Sequence, residues 1–72
     1  MLYNLKGELI KKRLEPNLAI MNALKCSEKT ARNKLKGITP FTVPEAIIIE
    51  HEYFQDEEFN MRWLFENQKN SA

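Results

Sequence analysis

An all-α fold, five short helices around one modest core, is predicted by three observations. Apolar residues recur at helical spacing along most of the chain, Pro16, Gly37 and Pro40 punctuate it, and Ser27 and Thr42 stand as capping residues ahead of helical runs. With 72 residues there is room for one domain near the lower size limit for folding without staples. Hydrophobic content of 43% and charged content of 29% are those of an ordinary folded chain. The single domain is expected to span 1–67, with 68–72 as a polar tail that frays.

The first helix is expected over about Tyr3–Arg13, with Leu5, Leu9, Ile10 and Leu14 as its apolar stripe. Gly7 is its one poor helix former, costing roughly 1 kcal/mol against alanine. The second begins at Pro16, which suits the first helical position because its missing N–H would have no partner there. Ile20, Met21 and Leu24 fall on its inner face, Leu18 on the flank, and Ala19 and Asn22 nearly opposite the core. Lys25 and Cys26 cross a tight turn, and Ser27 offers a hydroxyl to cap the third helix. There Ala31 and Leu35 face inward at i,i+4, while Lys29, Arg32, Asn33 and Lys36 project outward. Gly37 then takes the left-handed conformation that ends the helix. Two short helices around such a turn have the layout of a helix-turn-helix, whose second helix enters the DNA major groove.

Ile38–Phe41 forms an extended connector, because a residue before proline is pushed out of the helical region. Thr42 and Glu45 match a capping box for a fourth helix running to about Phe54, with Val43, Ala46, Ile47, Ile48, Ile49 and Tyr53 as its apolar residues. The acidic stretch Gln55–Glu58 is expected to start a fifth helix, on which Phe59, Trp63 and Leu64 close the core.

Charge is distributed unevenly. Residues 1–37 carry nine cations against three anions, a net +6, and residues 38–72 carry two cations against seven anions, a net −5. The boundary coincides with the end of the third helix, and a dipolar domain follows, with one pole for phosphates and the other for a basic partner.

Chemistry beyond binding has little support. His51, the lone histidine, stands on a glutamate-flanked helix with no metal-like spacing around it, so no metal and no catalytic residue is expected. Gly7 and Gly37 are the only glycines, too few for a phosphate-cradling loop, and no cofactor or small-molecule substrate is expected. Cys26 reads as a structural thiol. No apolar run has membrane length and no leader-like segment opens the chain, so the expected location is the cytoplasm.

From Leu5 to about Glu66 the sequence resembles the Cro/cI-type helix-turn-helix regulators of phages and plasmids. The resemblance rests on Ser-Glu-Lys-Thr at 27–30, Asn-Lys-Leu-Lys-Gly at 33–37, Phe-Thr at 41–42 and Arg-Trp-Leu-Phe-Glu at 62–66. Within that family the chain is most similar to the modulator-of-repression antirepressors of temperate lactococcal phages. The resemblance implies a lambda-repressor-like fold and a role in the lytic–lysogenic switch inside a bacterial host. It also implies a complex with the N-terminal DNA-binding domain of the phage repressor. DNA itself is a further partner, bound weakly or together with repressor.

Positions that touch DNA in the family correspond to Asn17, Ser27, Glu28, Lys29, Arg32, Asn33 and Lys36. Arg32 and Asn33 carry the chemistry for bidentate contacts to guanine and adenine. Lys25 stands where the family has a turn glycine, at a steric cost if its φ is positive. For a protein partner the candidate contacts are Leu18 as apolar anchor with Asn22, Lys25, Glu28, Lys29, Arg32, Glu57 and Glu58 around it. Direct operator binding in the manner of Cro is the second reading. An oligomerisation module is the third, because Ile47, Ile48 and Ile49 span about 200° of the helical wheel and cannot share one core.

Overall fold

The computed structural model describes residues 1–68, and among them every regular element is helical: α1 Tyr3–Lys11, α2 Pro16–Leu24, α3 Glu28–Lys36, α4 Val43–Tyr53 and α5 Met61–Leu64. Of the tail expected at 68–72, Gln68 is described and its N–H donates to Met1 O, while 69–72 lie outside the described residues.

The first three helices end by one device. Past α1 the Leu14 N–H donates to Leu9 O and the Arg13 N–H to Ile10 O; past α3 Ile38 donates to Asn33 O and Gly37 to Lys34 O. Past α2 the Cys26 N–H returns to Met21 O. This Schellman-type closure needs a left-handed residue just beyond the helix. Gly37 supplies it at φ 83°, but Arg13 and Lys25 adopt φ 62° and 56° with a Cβ in place, a strain of roughly 1–2 kcal/mol each. Arg13 therefore lies outside α1, two residues past the end of the helix expected to include it.

The starts of α2 to α5 are capped by side chains. Ser27 Oγ accepts from the Thr30 N–H. Thr42 and Glu45 form the capping box, with Thr42 Oγ1 accepting from Glu45 N and Glu45 Oε1 accepting from Thr42 N. Asn60 Oδ1 accepts from the amides of Arg62 and Trp63. The fifth helix thus begins at Met61 and not in the acidic stretch, and Gln55–Asn60 is turn and coil. The reason is packing: Phe54 is fully buried directly after α4, and Phe59 meets it edge-to-face before the chain turns into α5.

Leu2, Leu5 and Leu9 of the N-terminal segment, Ala19 and Ile20 of α2, Ala31 and Leu35 of α3, Ile49, Phe54 and Leu64 make the core. Three expectations fail here. Ala19, placed opposite the core by the wheel, is buried, because α2 packs against α1, α3 and α4 and has several inner faces. The Tyr53 hydroxyl donates to Ala19 O at 2.8 Å on that side. Burial first, and the Glu52 charge second, push the Tyr53 phenol above its ordinary pKa, so it keeps this proton. Ile10 is exposed, since Leu2, Leu5 and Leu9 define the inner line of the first helix. Trp63 is 42% exposed and lies stacked on Phe59, while Leu64 takes the core slot. Of the isoleucine run, Ile49 is buried and Ile47 and Ile48 are exposed.

The two ends of the described chain meet. Leu2 N donates to Leu35 O, the Met1 amino group to Asn67 Oδ1, and Gln68 N to Met1 O. Asn4 Nδ2 donates to Trp63 O, holding α1 to α5.

Candidate interaction surface on the second and third helices

The outward side of α3 carries the residues singled out as DNA contacts. Lys29, Arg32 and Lys36 are exposed, Asn33 is half-buried, and the Ser27 hydroxyl is engaged as the cap of its own helix. Asn17, from the first turn of α2, meets Arg32 and Lys36 in the wall of a cleft of about 260 Å³. Lys6 of α1 lines the same cleft, so three cations from two helices converge on it.

Two carboxylates answer them. Glu28 Oε1 accepts from the Arg32 guanidinium at 2.6 Å, one helical turn away. Glu15, also in the cleft wall, caps α2: one carboxylate oxygen accepts from Asn17 N at 3.3 Å and the other from Leu18 N at 2.7 Å. The exposed first-turn amides of a helix attract anions by orientation and dipole together. In this chain its own carboxylate takes them. Glu15 was not singled out in the sequence, although its place directly before a proline at the first helical position is that of a cap.

Along α2, Leu18 and Asn22 stand one turn apart at i and i+4, and Lys25 follows just past the helix end; all three are exposed, with Leu18 at 52%. The structure thus places Leu18 and Asn22 on one exposed flank of α2, with Lys25 in the turn that follows. Glu57 and Glu58 lie elsewhere, in the turn between α4 and α5, and Glu57 is bonded to Lys12 just past α1. Glu57 is therefore a structural partner of Lys12, whose ammonium also lies over the Phe54 ring at 5.3 Å, and Glu58 alone of the pair is exposed and unpaired among the described residues.

Lys34 is a second correction to the charge reading. It is buried on the inner side of α3, donating to Glu45 Oε1 at 2.8 Å and Pro40 O at 3.2 Å, with the Phe41 ring 5.6 Å away. Its position was legible: residues 31, 34 and 35 share one helical face at i, i+3 and i+4. Burial raises the Glu45 pKa, but hydrogen bonds from Lys34 and Thr42 and the Lys34 charge outweigh it, leaving the carboxyl below its ordinary value.

No known protein family, curated protein or solved structure matches the chain.

Among the described residues no three His, Cys, Asp or Glu side chains are grouped to hold a metal ion, and His51 is exposed. The Cys26 thiol is half-buried and directed at Ile20 O at 4.0 Å. Among the described residues no helix is long and apolar enough to cross a membrane.

Proposed function

We propose that this chain is a regulator of a temperate-phage lytic–lysogenic switch, acting in the bacterial cytoplasm as an antirepressor. In this reading α2 and α3 form a helix-turn-helix of the lambda-repressor type, and the domain binds the N-terminal DNA-binding domain of the phage repressor. The complex modulates the repressor's hold on its operators. The observation that carries the reading is the exposed flank of α2, where Leu18 stands half-exposed with Asn22 one turn further on and Lys25 exposed just past the helix end. A large apolar side chain ringed by polar groups is the makeup of a protein contact, with an anchor to be desolvated and a rim that excludes water. The test is to mix the chain with the repressor's N-terminal domain and measure mass by light scattering after gel filtration. A defined heteromeric species at micromolar concentrations is the expected result, and its absence ends the reading.

Direct operator binding in the manner of Cro is the second reading, favoured by the convergence of Lys6, Asn17, Arg32 and Lys36 on one cleft. Nanomolar, sequence-specific binding to a phage operator by this chain alone, at physiological salt, would place it first.

A further inference from the structure

The α2–α3 face presents cations to a cleft and at the same time fills its anion-binding positions with its own carboxylates. Glu15 occupies the first two free amides of α2, and Glu28 occupies the guanidinium of Arg32. These are two separate devices on two helices, and both act on the face that holds Lys6, Asn17 and Lys36. A DNA phosphate arriving there meets an amide pair already bonded to a carboxylate and an arginine already paired. It also meets two negative charges within the reach of short-range repulsion.

We propose that Glu15 and Glu28 are specificity-determining residues that exclude the DNA backbone from this face, leaving it for a protein partner. The fold then retains a latent, salt-sensitive affinity for duplex DNA that the two carboxylates suppress. Neither residue is in the hydrophobic core, and both are exposed. This goes beyond the antirepressor reading and is tested without repressor, so either can fail alone.

The experiment measures fluorescence anisotropy of a labelled 20-base-pair duplex of arbitrary sequence, titrated with protein at 50 and 200 mM salt. The variants are Glu28→Gln, which keeps an oxygen for Arg32 without the charge, and Glu15→Ser/Glu28→Gln, in which serine preserves a helix cap. A control, Glu52→Gln/Glu66→Gln, makes the same change in net charge at exposed positions of α4 and the segment after α5. The double variant is expected to bind about tenfold more tightly than wild type at 50 mM, with a salt dependence steeper by about one to two phosphate contacts. Glu28→Gln alone is expected to gain about threefold. The control should change less than twofold. Adding Lys36→Ala to the double variant should reverse most of the gain. Equal gains in the control would show that net charge alone is responsible and overturn the proposal. So would unchanged affinity of the folded double variant. If Glu15→Ser lowers the thermal midpoint below the assay temperature, Glu28→Gln decides by the same criterion.

Discussion

Glu45→Gln isolates the charge in the one ion pair that joins α3 to α4. The wild-type carboxylate does two jobs through a single oxygen, accepting from Thr42 N and from Lys34 Nζ. Glutamine retains the capping box, since its amide oxygen still reaches the Thr42 N–H. What is lost is the negative charge beside an ammonium whose side chain is only 8% exposed, against 28% for the glutamate. Breaking a fully buried pair from one side costs roughly 3–5 kcal/mol and a surface pair at most about 1. The mixed burial sets the expected loss at about 2 kcal/mol, from the roughly 4–10 kcal/mol expected for a domain of this length. Because the Glu45 pKa is lowered in the folded chain, the stabilisation is fully present above the unfolded value near 4.5 and is lost as pH falls through the folded value. Urea unfolding followed by far-UV circular dichroism should therefore show the gap between wild type and variant at pH 7, narrowing as pH falls below 4.5. Lys34→Met should cost less, about 1 kcal/mol, because methionine suits the apolar site and Glu45 keeps both Thr42 N–H and partial solvent contact. A gap absent at pH 7, or undiminished at pH 3, would refute the reasoning.

Leu64→Ala removes a fully buried side chain and should cost about 2–5 kcal/mol, whereas Trp63→Ala, which loses a half-exposed ring stacked on Phe59, should cost no more than about 1.5 kcal/mol; thermal midpoints separate the two. Gly37→Ala should destabilise by more than about 1 kcal/mol, because φ is 83° and the new methyl would run into the Asn67 side chain, itself held by the Met1 amino group; denaturant midpoints test this. Leu18→Ala should leave the thermal midpoint within about 2 °C of wild type and shorten the lifetime of a complex with the repressor's N-terminal domain several-fold in surface plasmon resonance. Glu58→Lys should leave folding intact and slow association with a basic partner at low salt only.

The boundaries of α3 and the start of α4 were legible because each depends on a few adjacent residues. Thr42 with Glu45, Ser27 and Gly37 act in the structure as their chemistry dictates. Misplacements arose where a distant contact overrides a local preference. Acidic residues favour a helix start wherever they stand, yet Gln55–Glu58 stay non-helical because Phe54 and Phe59 pack together first and Asn60 then supplies a better cap. A helical wheel assigns one inner face, so it serves α3, which has one, and fails for α2, wedged among three neighbours, where Ala19 as well as Ile20 is buried. On the candidate surface the outward residues of α3 were legible from the same wheel, and Glu28 stands one turn before the Arg32 it pairs with. Glu15 as the cap of α2 was signalled by its place directly before Pro16.

Charge shows the same division between what adds along a sequence and what pairs in space. The +6 of residues 1–37 includes Lys12 and Lys34, and both are bonded to carboxylates of residues 38–72. Those pairs hold the C-terminal segments onto α1 and α3, so part of the apparent dipole is fastening. Lys11 and Arg32 are paired within their own helices by Glu8 and Glu28. That leaves Lys6, Arg13, Lys25, Lys29 and Lys36 without an ion pair among the described residues. Of these, Lys6 and Lys36 line the cleft that Glu15 shares, and Lys25 stands in the turn past α2. The basic groups of the cleft are thus interrupted by carboxylates, and Leu18 on the neighbouring flank of α2 is half-exposed. A continuous phosphate track needs the opposite arrangement, cations unbroken by anions along the path of the backbone. A protein partner needs an apolar anchor with mixed charge around it. On that comparison the face suits a protein better than bare DNA, and Lys6, Asn17, Arg32 and Lys36 are what make the DNA reading worth testing beside it.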